Sequence, residues 1–342
     1  MISHSKPYIT EEDLNSVSLQ LSSNHISHGE KVREFEAATG GYLGLSYAKL
    51  VDSGTKALRI ALQVLNIGKH DEVVLPTYVC HNVCDAIQSL DATPVFCDIG
   101  EEWNMDAATI GKSITKKTKA IVFVHTMGIA GDISPVKFGI PVIEDCCQAF
   151  GTGNNENNRV GLSGDISFFS FQAIKCLTTG EGGLIATNNE KYAQKIDLLC
   201  RNKANTGMVS DIQAALGLSQ LSRYDEILEK RKQIAQYYFD NIADDKIFAK
   251  FKSVKRKTNF YRFLLEITSD FQDCRNYFEA KGIAIRKGVD ELLHVNYPDF
   301  AKSDYPCAEA TFKKTISIPI YPSLRSDEIK KITETINNYE SI

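Results

Sequence analysis

The sequence predicts an α/β protein in which a large domain with an open, mostly parallel sheet precedes a small α+β domain. Three observations support this prediction. Short, mostly apolar runs rich in β-branched residues alternate with helical patterns over the first two thirds of the 342 residues. The runs are as apolar as expected for strands that are buried on both faces. The last third loses this regular alternation.

The elements of the large domain follow one another in a regular order. Strands are predicted at 48–51, 73–76, 93–97, 120–125, 141–144, 166–171 and 183–187. Between the first two strands, Leu58, Ala61, Leu62 and Leu65 repeat at helical spacing and predict a helix over 55–65. Further helices are predicted at 82–90, 190–200 and, as one long helix, 212–243. This alternation places helices on both faces of one sheet.

The C-terminal third predicts a small unit with its own sheet. Its elements are a strand over 261–267, a helix over 271–281, an extended segment at 283–286 and a final helix over 326–339. A chain of 342 residues also suggests two domains, at about 150 residues each. We therefore predict a large domain over 1–230 and a small C-terminal domain over 231–342, with the boundary inside the long helix.

Composition excludes several classes of protein. Lys plus Arg total 39 against 43 Asp plus Glu, a net charge of −4, whereas nucleic-acid-binding domains usually carry a basic surplus. No run reaches the roughly 18 apolar residues of a membrane span, and the polar N-terminus lacks the apolar core of a signal peptide. The nine cysteines form no Cys-x-x-Cys pair, and we expect reduced thiols in a cytoplasmic protein.

Ligands of open α/β sheets bind beyond the carboxyl ends of the strands, so the residues that follow each strand are the candidates for a site. Ser53, Gly54 and Thr55 follow the first strand and open the first helix. Such a turn exposes backbone N–H groups to a phosphate, although an ordinary helix cap is the commoner role of a serine or threonine at this position.

A second candidate is the run from Glu144 to Gln148, which follows the fifth predicted strand. The carboxylate of Asp145 could hold a cationic ring nitrogen, or it could be a solvated or helix-capping acid. No second carboxylate or histidine lies at a plausible ligand spacing, so we expect no metal.

The third candidate is Lys175, which stands in the apolar run 169–175 ahead of the Gly-rich return 180–183. A desolvated lysine has a lowered pKa and can attack a carbonyl as a free amine. A phosphate-binding turn, an acid for a ring nitrogen and an imine-forming lysine are together the requirements of pyridoxal 5′-phosphate (PLP). The combination is more specific than any one of the three motifs.

The sequence resembles the DegT/DnrJ/StrS-type sugar aminotransferases, which have the PLP-dependent transferase fold type I. The resemblance covers nearly the whole chain and includes Gly29, Phe35-Glu36, 53–58, 71–76, 93–98, 117–121, 141–145, Gly164-Asp165, 169–171 with Lys175, 180–183 and 318–322. It implies a large domain with a mostly parallel seven-stranded sheet. It also implies a homodimer whose active sites include residues of both subunits.

The resemblance implies a role for each candidate residue. Lys175 is expected to form the Schiff base with the cofactor and Asp145 to pair with the pyridine nitrogen. Gln148 is expected to lie against the ring beside its phenolic oxygen. The phosphate is expected to bind Gly54, Thr55 and Ser170.

The sequence departs from the family pattern at two places. Where the family has an aromatic residue that stacks on the cofactor ring, this chain has Cys80, followed by His81 as a possible substitute. The family's Asn-x-Arg motif ahead of the long helix is reduced to Asn205 or Thr206, and Met208 occupies the arginine position. Asn205 is therefore the predicted phosphate contact from the partner subunit, in a reshaped substrate pocket.

The function that the resemblance implies is transamination. The amino group would pass from an amino acid, with glutamate as the expected donor, to a nucleotide-linked ketosugar for a surface glycan. The alternatives are a keto-inositol or a smaller ketone as acceptor, or a non-catalytic PLP-binding regulator. The joint presence of Lys175, Asp145, Gln148 and Ser170 favours an enzyme, because an inert scaffold needs none of them.

Overall fold

The computed structural model of the protein describes residues 1–134, 138–153, 159–202 and 207–339. Two helices open the chain, α1 (Glu11–Ser22) and α2 (Glu30–Leu43). The large sheet and its helices follow as β1 (Tyr47–Val51), α3 (Gly54–Val64), β2 (Glu72–Pro76), α4 (His81–Gln88), β3 (Thr93–Cys97), α5 (Ala107–Ser113), β4 (Thr118–Val124), β5 (Val142–Asp145), β6 (Ile166–Ser170), β7 (Gly183–Thr187) and α6 (Glu190–Cys200).

The remaining elements lead into a second, smaller sheet. They are α7 (Asp211–Ser222), α8 (Tyr224–Asn241), α9 (Ala249–Ser253), β8 (Phe263–Glu266), α10 (Phe271–Ala280), β9 (Arg286–Lys287), α11 (Pro306–Lys314), β10 (Thr315–Ile318) and α12 (Ser326–Asn337). Each helix in the described ranges is too short or too polar to cross a membrane.

The large sheet has seven strands in the order β1-β7-β6-β5-β4-β2-β3. The pairs from β6 through β5, β4 and β2 to β3 are parallel, whereas β7 runs antiparallel to both β6 and β1. The α/β fold with a mostly parallel seven-stranded sheet is therefore confirmed. Because only β7 is reversed, the carboxyl ends of β1, β2, β5 and β6 meet at one edge, together with the start of β7.

Helices cover both faces of this sheet. Successive residues of a strand point to opposite faces. On β7, Leu184 packs into the cluster that contains Phe35 of α2, and Ile185 packs into the cluster that contains Leu58 of α3. All four residues are at most 1% exposed. The double burial explains why the strands appear in the sequence as apolar runs without alternation.

The small sheet has three antiparallel strands in the order β8-β10-β9. The N-terminus of the chain also packs against this unit, since Ile2 forms a parallel bridge with Ile283 and His4 Nε2 lies 3.0 Å from Ser317 Oγ of β10. The extended segment expected at 283–286 contributes Ile283 to that bridge, and the two-residue strand β9 follows it.

The prediction of one long helix over 212–243 was wrong. Arg223 leaves the helical conformation at φ −121° and ψ 22°, and α7 and α8 meet there. The break lets α7 pack on α1 and α2, while α8 inserts Tyr238 against Phe263 of β8, with ring centroids 5.0 Å apart. The predicted domain boundary after residue 230 falls within α8 and stays a prediction. The sequence analysis also missed the helices α1, α2, α5, α9 and α11.

Candidate active site

A cavity of about 410 Å³ opens at the edge where the carboxyl ends of the strands meet. Seven of the predicted site residues line it, namely Gly54, Thr55, Cys80, Asp145, Gln148, Ser170 and Lys175. They come from four segments that are far apart in the sequence, namely 54–55, 80, 145–148 and 170–175, and the crossings of the parallel sheet bring them together.

One end of the cavity is formed by the turn from β1 into α3. The Ser53 hydroxyl accepts the Lys56 amide at 3.3 Å, and the amides of Gly54 and Thr55 belong to the first turn of the helix, which offers them no carbonyl. The backbone of β7 lies directly against this turn. A Cβ on Gly183 would come within 2.4 Å of the Ser53 carbonyl carbon, so only glycine fits there.

Ser170 and Cys147 complete this end of the cavity. A Cβ added to Gly54 would lie 3.1 Å from both Cys147 Sγ and Ser170 Cβ. The Ser170 hydroxyl accepts the amide of Gln172 at 3.4 Å, a long contact that leaves its proton free to donate. Two helix-terminal amides and one hydroxyl thus form an anion-binding end.

Asp145 ends β5 and places its carboxylate in the cavity. The residue is 5% exposed, and one carboxylate oxygen accepts the amide of Cys147 at 2.9 Å. Burial raises the pKa of Asp145, while the hydrogen bonds from Cys147 and the charge of Lys175 oppose that rise. A buried carboxylate with one free oxygen is suited to a cationic partner inside the cavity.

The neighbouring Glu144 points to the other face of the sheet and has a structural role. His125, Glu144 and Cys146 place potential metal-binding atoms within 4.8 Å of one another. However, the Glu144 carboxylate already accepts His125 Nε2 at 2.9 Å and the amides of Gly161 at 2.8 Å and Ser163 at 2.7 Å. A carboxylate this well satisfied fixes the loop after β5 rather than serving as a metal ligand.

Lys175 is half-buried, and its ammonium lies over the ring of Tyr261, with Nζ 5.1 Å from the ring centroid. Burial lowers the pKa of Lys175, but Tyr261, Cys147, Cys80 and Asp145 together raise it above its ordinary value. Sequence reasoning missed Tyr261, because it precedes β8 in a run that predicts only a strand.

Gln148 is held rigidly at the wall of the cavity. Its side-chain Oε1 accepts the amide of Met127 at 2.7 Å, and its carbonyl accepts Asn259 Nδ2 at 3.0 Å. Met127 has φ 59° and Gly128 has φ 85°, so the chain turns sharply there. The residue predicted to lie against a ring is therefore fixed by two neighbouring segments.

The sequence profile of one family matches residues 7–337, that of the DegT/DnrJ/EryC1/StrS aminotransferase family. The chain belongs to this family. It is 31% identical to GDP-perosamine synthase of Escherichia coli O157:H7, over 98% of each chain. It is 29% identical to the spore coat polysaccharide biosynthesis protein SpsC of Bacillus subtilis strain 168, over 98% of this chain and 96% of the relative.

A solved structure has the same architecture. The PLP form of the putative sugar aminotransferase Spr1654 from Streptococcus pneumoniae superposes with a TM-score of 0.87 and 27% identity, over 98% of this chain and 97% of that chain. The protein is thus a PLP-dependent sugar aminotransferase of the DegT/DnrJ/EryC1/StrS family.

The cavity of this aminotransferase fits PLP. It has an anion-binding end at Gly54, Thr55 and Ser170, a buried carboxylate at Asp145 and the amine of Lys175, all facing one space. These groups match a phosphate, a ring nitrogen and an aldehyde in turn. The match depends on the chemistry of the groups present.

The remaining predicted residues lie at the periphery of the site or beyond the described part of the chain. Cys80 faces the cavity, and burial raises the pKa of its thiol. His81 lies outside the cavity lining, where its Nε2 contacts Glu291 Oε2 at 3.2 Å. Asn205 and Thr206 are outside the described residues. Gly207, just after them, lies so close to Asp52 that a Cβ there would be 1.9 Å from Asp52 Oδ2.

Proposed function

We propose that this aminotransferase moves an amino group from an amino acid, with glutamate as the donor, to the ketone of a nucleotide-linked sugar. The convergence of Lys175, Asp145 and the anion-binding end on one cavity carries the proposal. The names of the E. coli and B. subtilis relatives support a sugar product and a role in polysaccharide synthesis. We infer that the amino sugar is destined for a surface glycan.

The residues divide the work in the proposed reaction. When bound, PLP supplies a ring that draws electrons away from the carbon bearing the amino group. Gly54, Thr55 and Ser170 bind the phosphate and fix the position of the ring. Asp145 holds a proton on the ring nitrogen, which favours electron withdrawal. Lys175 would hold the cofactor through its amine and, once that amine is free, would move the proton at the substrate carbon.

The experiment uses the purified chain loaded with PLP. We expect visible absorbance that falls on addition of glutamate and returns on addition of a nucleotide ketosugar, with mass spectrometry identifying the aminated product. Lys175→Ala should remove the borohydride-reducible bond to PLP while leaving the circular dichroism spectrum unchanged. A keto-inositol and a small ketone complete the panel. Turnover of either one with no turnover of any ketosugar would reassign the acceptor.

We also propose that the enzyme is a homodimer with shared active sites. Most soluble oligomers are symmetric, and a site at a twofold interface can take residues from both chains. In this proposal, Asn205 of one subunit contacts the phosphate bound by the other. Light scattering tests the dimer, and Asn205→Ala, by removing a hydrogen bond to a charged group, should weaken PLP binding by about 1.5–3 kcal/mol. A monomer with full activity would contradict this arrangement.

We place the enzyme in the cytoplasm. All nine cysteines are free thiols, and Cys146 and Cys147 directly follow Asp145 in the sequence. A reducing compartment preserves such thiols. Fractionation of cells producing the tagged chain would test the location.

A further inference from the structure

The free amine of Lys175 has a defined resting place in the structure. Its Nζ lies 5.1 Å from the centroid of the Tyr261 ring, within the roughly 6 Å over which an aromatic face attracts a cation. Tyr261 is only 7% exposed, so its ring is held in the packed interior at the wall of the cavity. Among the described residues, Nζ has neither a hydrogen bond nor an ion pair, and the Tyr261 ring is the aromatic face that lies within range of it.

We propose that Tyr261 is a positioning residue that holds the Lys175 ammonium on its ring face whenever the amine is not bonded to the cofactor. A flexible lysine side chain would otherwise sample the whole cavity. Because the aromatic face binds the ammonium, the amine stays at one position, from which it can return to the cofactor or reach the substrate carbon. This last consequence rests on the proposed function, whereas the contact itself does not.

Tyr261 is itself rigidly held, as a positioning residue must be. Its amide donates to Asn259 Oδ1 at 2.9 Å, and Asn259 Nδ2 donates to the Gln148 carbonyl at 3.0 Å. The Gly128 turn closes over this link, because a Cβ on Gly128 would lie 2.2 Å from Asn259 Oδ1. The segment before β8 is thus fastened to the cavity wall that carries Gln148.

Several charged or titratable groups surround the pair. Asp145, Cys147 and Cys80 also face Lys175, and Arg231, Arg262 and Cys176 face Tyr261. The Arg262 guanidinium lies 4.9 Å from the same ring centroid and is tied to His4, with Nη1 2.6 Å from Nδ1. Asp145 already accepts the Cys147 amide. Within the described chain, none of these groups lies within hydrogen-bond or ion-pair distance of Lys175 Nζ, whereas the Tyr261 ring lies within cation–π range.

The test measures the protonation of Lys175 in the full-length chain from which PLP has been dialysed. Reductive methylation by formaldehyde and cyanoborohydride requires an unprotonated amine, and peptide mass spectrometry follows Lys175 alone. Tyr261→Leu should lower the midpoint pH of the reaction by about one unit, which is about tenfold in rate below the midpoint. Tyr261→Phe keeps the aromatic face and should retain a midpoint close to that of the wild type.

Phe150→Leu is the matched control. Phe150 belongs to the same buried cluster as Tyr261, and its ring contacts are with Tyr42, Phe169, Phe171 and Tyr224. The Phe150→Leu substitution should lower the melting temperature and leave the midpoint pH of Lys175 methylation unchanged. If Tyr261→Leu does not fold, Tyr261→Met takes its place, since the flexible methionine side chain fills irregular gaps.

Equal midpoints in wild type and Tyr261→Leu would overturn the proposal. A midpoint in Tyr261→Phe as low as that of Tyr261→Leu would also overturn it, because the hydroxyl rather than the ring would then control the amine. The assay contains neither cofactor nor substrate, so its result is independent of whether the chain aminates a sugar. In the loaded enzyme, the proposal further predicts that Tyr261→Leu lowers kcat with little change in the KM for glutamate.

Discussion

His125 and Glu144 form a buried pair behind the cofactor cavity, with His125 Nε2 2.9 Å from Glu144 Oε2. The amide of Gly131 donates to His125 Nδ1 at 3.1 Å, so the ring proton is on Nε2 and points at the carboxylate. Burial alone would raise the pKa of Glu144. The hydrogen bonds that its carboxylate accepts from His125 and from backbone amides outweigh burial, so the pKa of Glu144 is lowered. The pair fixes the backbone from which Asp145 projects.

Glu144→Ala should therefore destabilise the protein strongly. The substitution removes the acceptor of the Gly161, Ser163 and Gly164 amides, of which that of Gly161 is buried. It also leaves the buried His125 without its partner, and an unsatisfied buried group costs about 1–3 kcal/mol. We expect a loss of at least about 3 kcal/mol in urea denaturation at pH 7. Glu34→Ala, which breaks an exposed pair with Lys31, should cost at most about 1 kcal/mol. Similar losses in the two variants would refute the role assigned to Glu144.

Gly183→Ala should damage the anion-binding end of the cavity. Its new Cβ would lie 2.4 Å from the Ser53 carbonyl and 2.7 Å from the Gly54 amide nitrogen, and both are backbone atoms. Relieving such contacts costs about 1–3 kcal/mol and would displace the first turn of α3. We expect a lower melting temperature and weaker PLP binding in equilibrium dialysis. Gly41→Ala is the control, since that helical glycine has open space around it and should tolerate a methyl group.

Asp145→Asn should reduce turnover more than it reduces PLP affinity. A neutral amide holds the ring nitrogen's proton less well, and the loss falls on the charge that develops during the reaction. We expect kcat to fall by more than tenfold, which corresponds to about 1.4 kcal/mol. The melting temperature should not fall, because the amide removes the burial cost of a charge.

The control is Asp71→Asn, ahead of β2 at the opposite end of the sheet, which should leave kcat unchanged. A fall in kcat of less than tenfold for Asp145→Asn would argue against its role at the ring nitrogen.

His4 should make stability depend on pH. Burial, with the charges of Arg262 and Arg286, lowers its pKa to about 2 from the 6.5 of an exposed histidine. The unfolded chain therefore binds the extra proton between these values, and stability falls as pH drops below about 6.5, by up to about 1.4 kcal/mol per unit. In urea denaturation, His4→Gln should lose less stability than the wild type between pH 7 and pH 5. The control His25→Gln, at an exposed position, should lose as much stability as the wild type over this pH range. An equal loss in His4→Gln would show that His4 does not cause the pH dependence.

The order of the large sheet's elements and the identity of its cofactor could be predicted because their signals are local. Each strand from β1 to β7 is a mostly apolar run, Gly54 opens α3, Asp145 ends β5 and Lys175 lies in the connection between β6 and β7. The rule that parallel strands gather their carboxyl ends then sufficed to bring these residues to one site. The break at Arg223 was missed, because α7 and α8 together keep a helical pattern in which only packing demands a change of direction.

The sequence by itself determined the α/β class, the seven strands and most of the residues that the structure gathers around one cavity. Only the tertiary structure decided that Tyr261 lies under Lys175, that His81 turns away to Glu291 and that Glu144 is tied into the fold while Asp145 faces the cavity. Such partners are separated by up to 210 positions along the chain, as His81 and Glu291 are. Hydrophobic periodicity indicates which face of an element is buried, but it does not indicate which distant side chain packs against that face.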